Sequence, residues 1–220
     1  MEKRRQFLKT TFGFLTGMGL SLSPFFKAVR TVYGNGKTPK IVLPRDTNRE
    51  SLIHKDPGVL DTRNLELTPL KDFRTMGISD YEVQLDAWRL EVTGRVQTPL
   101  RLTYPQILTL SSIEREVLLI CPGVFTNHGR WKGLSMGQLL TRAQLEKDVT
   151  HGIFAGPEGA YEKTERFPIE DILTDKVFLA YGVNGETLPL KHGFPLRVVA
   201  EGYYGSDWVK YVHRLELDKI

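Results

Sequence analysis

Residues 179–217 read LAYGVNGETLPLKHGFPLRVVAEGYYGSDWVKYVHRLEL. Apolar runs alternate here with turn formers. Asn184-Gly185 lies between two of the runs, and that pair favours a tight hairpin because both central positions of such a turn take positive φ. The pattern predicts a strand over VFLAYGV, a turn at Asn184-Gly185, and further strands in FPLRVVAEG and DWVKYVHRLELDK. No long helix separates them.

The same reading extends upstream. THGIFAG and REVLLIC are apolar, branched runs of strand length, the second ending at Cys121. In YEVQLDAWRLEVTGRV the side chains alternate, with Trp88, Leu90 and Val92 on one face and Arg89, Glu91 and Thr93 on the other, as in a half-buried strand. LTYPQILTL predicts a short helix capped by Thr103 with Pro105 in its first turn, LSMGQLLTRAQL a helix capped by Ser135, and PIEDIL a short helix opened by Pro168. Strands outnumber helices and do not alternate with long ones. The expected fold class is therefore α+β, with mixed β-sheets and short helices, and not a doubly wound parallel layer.

The chain has 220 residues, 40% of them hydrophobic and 25% charged, enough for one domain with a sizeable core. A net charge of +4 with no basic stripe outside the termini argues against nucleic acid as a partner. Residues 1–30 differ from the rest. Arg4-Arg5-Gln6-Phe7-Leu8-Lys9 matches the twin-arginine export pattern R-R-x-F-L-K and precedes a weakly apolar, Gly-interrupted stretch. The expectation is a signal or anchor over 1–30, an extended lead-in over 31–60 rich in Gly, Pro and charge, and a folded domain over 61–220. Export by that route would place the domain in the periplasm or another extracytoplasmic space, with a possible membrane tether through the N-terminal segment.

Cys121 is the only cysteine, so no internal disulfide can form. Alone, such a thiol is more often a small buried hydrophobe than a functional group. Its place at the end of a core strand, before Pro122-Gly123, also suits a ligand that must be held still. Zinc would need three or four Cys, His or carboxylate ligands, and the five histidines show no ligand spacing. A nucleophilic pair with His128 is an alternative. Near the C-terminus Tyr181, His192, Arg197, Ser206 and Lys210 form a second group, in which Arg and Lys suit a phosphate. Arg74, in LKDFRTMG, is a further candidate anion contact.

With these residues in place, residues 60–220 resemble the sulfite oxidase family of molybdopterin-dependent oxidoreductases. Three blocks carry the resemblance: WRLEVTGRVQTPLRLTYPQI, LLIC followed by RWKGLSMGQLL, and the stretch quoted first, which is the most specific. The resemblance implies that Cys121 ligates molybdenum. It further implies that His192, Arg197 and Lys210 hold the pterin and its phosphate, with Ser206 as another pterin contact. Tyr181 falls on the family's substrate-pocket tyrosine, and Arg74 on an arginine that contacts an oxyanion, although Thr75-Met76 replace the family's Asn-His after it. Molybdenum on a pterin dithiolene takes a soft thiolate well, and one protein ligand suffices. The implied activity is oxygen-atom transfer on a small substrate, an oxyanion such as sulfite or a sulfoxide, with a non-catalytic binding module that retains the fold as the alternative. The sequence has no C-x-x-C-H haem motif, so electrons are expected to pass to or from a separate protein, a cytochrome or a membrane haem subunit.

Overall fold

The computed structural model describes residues 39–158 and 163–219. The twin-arginine segment lies outside the described residues. No described helix is long and apolar enough to cross a membrane.

Two five-stranded sheets carry the fold. In chain order the elements are β1 (Ile41–Val42), β2 (Leu60–Asp61), β3 (Leu90–Gly94), β4 (Leu100–Leu102), α1 (Tyr104–Leu108), β5 (Ser112–Cys121) and β6 (Phe125–Leu134). They continue with α2 (Met136–Ala143), β7 (His151–Ala155), β8 (Thr164–Pro168), α3 (Ile169–Leu173), β9 (Val177–Val183), β10 (Glu186–Thr187), β11 (Arg197–Ala200) and β12 (Arg214–Asp218). One sheet runs β4-β3-β12-β7-β8, with β12 parallel to β3 and antiparallel to β7. The other runs β10-β9-β6-β5, with β11 also paired to β9. The α+β expectation with mixed sheets holds.

The local signals act as read. Thr103 and Gln106 form a capping box at the start of α1, with Pro105 in the first turn. Asn184 and Gly185 take φ of 53° and 84° between β9 and β10, the positive pair a tight hairpin turn requires. Leu90 and Val92 on β3 are fully buried, as the alternation implied. At α2 the detail differs. Ser135 occupies the N-cap position, but the carboxylate that accepts the Met136 N–H, at 2.6 Å, belongs to Asp175, 39 residues on. Gly133 is where β6 shifts register against β9. A Cβ there would collide with the Leu179 carbonyl and lie 2.8 Å from the Ala180 Cα, so only glycine lets the two strands meet.

Two expectations are corrected. The compact unit starts at Lys40, not near Asp61. The segment read as an extended lead-in pairs β1 with β2 and buries Leu43, Leu52 and Leu60, which pack with Leu65 against Leu118 and Ile120 of β5. A strand apolar on both faces, as VLLI is, needs a cover on each, and residues 40–65 are the second cover. The final run is shorter than expected: β12 begins at Arg214, and residues 208–213 are irregular.

Candidate active site

The long hairpin of β5 and β6 delivers Cys121. The strands stay in register from Ser112↔Leu134 to Cys121↔Phe125, so the connection is only Pro122, Gly123 and Val124. Gly123 sits at φ 71° and donates its N–H to the Ile53 carbonyl at 2.9 Å, while Val124 donates to the Cys121 carbonyl at 3.0 Å. Cys121 is thus fixed at the rim of a rigid turn. Of the stretch PGVFTNHG, Phe125 onward already belongs to β6.

Side chains alternate along a strand. His128 pairs with Leu118, three residues from Cys121, and so projects to the opposite face. There its Nδ1 lies 3.2 Å from the Glu66 carbonyl, and it is fully buried. Burial depresses its pKa. The structure therefore excludes His128 as a base for Cys121.

Cys121 opens onto a cavity of about 540 Å³. Arg74, Arg197, Ser206 and Lys210 line it as well, together with Lys163. Among the described lining residues four side chains are cations and none is a carboxylate. Arg197, on β11, is 5% exposed. Its Nη1 donates to the His192 carbonyl at 3.0 Å, and its guanidinium lies 5.1 Å from the Trp131 ring centroid and 5.4 Å from that of Trp208. Burial pulls it down to about 9, so it remains charged at neutral pH. His192 lies behind it, 1% exposed, and its Nε2 has no hydrogen-bond partner among the described residues. Burial first, then the charges of Arg197, Lys191 and Lys210, holds it down at about 4. Burial and the Arg197 charge lower Lys210 to about 8. Its ammonium donates to Thr75 Oγ1 at 3.1 Å, to the Lys191 carbonyl at 3.2 Å, and to the Ile78 carbonyl. Ser206 is exposed in the short turn Gly205–Asp207 and donates to Asp207 at 3.1 Å.

Arg74 is exposed, with its guanidinium 5.4 Å from the Phe125 ring centroid. Its backbone is clamped by buried Asn127 on β6: the Arg74 N–H donates to Asn127 Oδ1 at 3.1 Å and Asn127 Nδ2 donates to the Arg74 carbonyl at 2.8 Å. Burial raises the Cys121 thiol pKa, and Arg74 opposes that shift. Tyr181 does not line this cavity. It is 8% exposed in the core of β9, and its carbonyl accepts the Leu188 N–H at 2.9 Å. Sequence reasoning missed Met76, whose Sδ is 3.9 Å from Cys121 Sγ, and the Asn127 clamp. Neither carries a local signal. Trp208 was findable: it stands two residues before Lys210, and it too lines the cavity.

A buried cation without a counter-charge is costly unless an anion completes it. Arg197, the unpartnered His192 Nε2 and the cationic lining therefore fit an anionic group, and the thiol beside them fits a soft metal. This combination defines a binding domain for an anionic, metal-bearing cofactor. The family described as oxidoreductase molybdopterin binding domain matches residues 77–219, more than half of the chain. The chain belongs to that family, of sulfite oxidase type.

Among its relatives is the protein-methionine-sulfoxide reductase catalytic subunit MsrP of Gluconobacter oxydans, 29% identical over 59% of this chain and 46% of that protein. The NADH nitrate reductase of Lotus japonicus is 31% identical over 59% of this chain, but over only 18% of its own length. An oxidoreductase of Bacillus subtilis, YuiH, is 27% identical over 63% of this chain and 69% of that protein. The chain therefore spans less than half the length of the first two. The sulfane dehydrogenase SoxCD of Paracoccus pantotrophus superposes with a TM-score of 0.58 at 26% identity, over 64% of this chain and 40% of that one.

Proposed function

We propose that this chain is the molybdenum-pterin domain of an exported oxidoreductase that moves an oxygen atom to or from a small, sulfur-containing substrate. One observation carries the reading: the only thiol opens onto a cavity walled by cations, with the buried Arg197 lacking a carboxylate partner among the described residues. Cys121 would ligate the metal. Arg197 and His192 would hold the anionic part of the pterin, Ser206 would add a hydroxyl at the open side, and Lys210 would add positive charge. When bound, the cofactor supplies two-electron oxygen-atom transfer chemistry.

The chain's own contribution is binding and orientation. Arg74 lies on the solvent side with its backbone fixed by Asn127, so its guanidinium can meet an anionic or strongly dipolar substrate oxygen. Leu119, Phe125 and Pro122 exclude water on the Cys121 side. Electrons would be exchanged with a separate redox protein, and the Arg4-Arg5 segment would direct export, with the option of a membrane tether.

Sulfoxide reduction is the second reading. Met76 favours it, because a thioether already lies beside Cys121 in a wall that an organic sulfur compound can share. The deciding experiment measures molybdenum and pterin in native protein and in Cys121→Ser, both from a host that makes the cofactor. Near-stoichiometric metal that falls at least about tenfold in the variant supports the reading. No metal in the native protein overturns it. Loaded enzyme then receives sulfite with an artificial electron acceptor, or a sulfoxide with an artificial donor, and the faster reaction fixes the direction.

A further inference from the structure

The cation that the resemblance hands to the cofactor is already engaged. A lysine ammonium carries three donors. In Lys210 these meet Thr75 Oγ1, the Ile78 carbonyl and the Lys191 carbonyl. Thr75 Oγ1 in turn donates to the same Lys191 carbonyl at 3.2 Å. Two of the three acceptors lie in one segment, Thr75–Ile78, which lines the cavity and carries Met76 to within 3.9 Å of the Cys121 sulfur. The segment is held at its ends too. Asn127 grips the Arg74 backbone, and the Tyr81 ring lies 5.2 Å from that of Tyr211, next to Lys210.

We propose that Lys210 is a positioning residue, a latch that ties the Thr75–Ile78 segment across the cavity and so sets Met76 against Cys121 and Arg74 at the opening. The segment is otherwise irregular, and a free irregular loop samples open states readily. Two charge-assisted bonds from a half-buried ammonium hold it closed, and a third anchors that ammonium to the Lys191 carbonyl. Lys210 then acts on the site through the segment as well as by its charge, beside Arg197 in the cavity wall. The latch therefore presents the Met76 thioether to Cys121.

Cys121 is the only thiol, so its alkylation by iodoacetamide reports the segment alone. The full chain is prepared without cofactor, as wild type, Lys210→Met and Lys210→Arg. A latch predicts alkylation about tenfold faster in Lys210→Met and near wild type in Lys210→Arg. A purely electrostatic role predicts the reverse, since removing a nearby positive charge lowers the thiolate fraction and slows the reaction. Trypsin, applied to the protein as purified, gives a second reading. Cleavage at the Arg74–Thr75 bond rises in Lys210→Met with other sites unchanged, whereas global loosening would raise cleavage throughout. Unchanged or slower alkylation in folded Lys210→Met overturns the latch. Should that variant not fold, Thr75→Val removes one acceptor and decides: about threefold faster alkylation supports the latch, and no change refutes it. The alkylation reading does not depend on cofactor content, so absence of molybdenum from the native protein would sink the proposed activity and leave the latch to stand or fall separately.

Discussion

Cys121 and His128 share one β-hairpin and face opposite ways: His128 pairs with Leu118, an odd number of residues from Cys121. Leu118 and Ile120 pack on the cover made by residues 40–65, whereas Leu119 and Cys121 turn to the main core and the cavity. The two residues therefore belong to different environments. His128→Gln should lower stability by about 1 kcal/mol through its buried contact to Glu66, yet leave molybdenum content at the wild-type level. Metal analysis beside a denaturant titration checks both halves. A joint loss of metal and stability would contradict the assignment of faces.

Arg197 should separate folding from loading. Its buried charge has no carboxylate partner among the described residues, so the cofactor-free fold bears a desolvation penalty that an apolar side chain removes. Arg197→Met is expected to leave the cofactor-free thermal midpoint unchanged or higher while cutting cofactor content at least about tenfold. A lowered midpoint in the cofactor-free variant would mean that the guanidinium bond to the His192 carbonyl outweighs desolvation.

The pH dependence of stability follows from His192. Its folded pKa is about 4 against an ordinary value of 6.5, so between these limits the unfolded chain binds more protons than the folded one. Stability from this group is complete above 6.5 and is lost as the pH falls through the window to about 4. The full span amounts to about 3 kcal/mol. His128 shifts the same way and also loses stability below its ordinary value, whereas Asp61 and Asp148 have lowered carboxylate pKa values and act below the His192 window. Denaturant midpoints for wild type and His192→Gln, measured across the window on cofactor-free protein, should converge at its acid end. Parallel curves would remove His192 as the cause.

Asp175 caps a helix from a distance. It holds φ 55°, accepts the Met136 N–H at 2.6 Å and lies 3.3 Å from the Ser135 hydroxyl. Asp175→Asn keeps an acceptor and a side chain tolerant of that backbone, and should cost about 0.5 kcal/mol. Asp175→Ala loses the cap and strains the backbone, and should cost about 2 kcal/mol. Equal effects in a thermal melt would show that the cap contributes nothing beyond the turn.

Much of the architecture is legible because its signals are local. The Thr103 capping box, the Asn184-Gly185 turn and the alternation through Leu90 and Val92 each act within a few residues. The helix cap from Asp175 and the cover over Leu118 and Ile120 are contacts between distant segments, so no spacing announces them.

The site divides in the same way. From the sequence alone came the single thiol at the end of a core strand, the cation types near the C-terminus and, through their joint pattern, the family. Only the tertiary structure decided which of those residues share a cavity. It brought Arg74, Arg197, Ser206 and Lys210 to Cys121, set His192 behind Arg197, and left Tyr181 in the core of β9. It also decided that His128 faces away and that the Lys210 donors are engaged by Thr75, Ile78 and Lys191. The physical reason is range. Capping and alternation act over a turn or a pleat, whereas burial, desolvation and the pairing of a charge depend on what the rest of the chain places beside it.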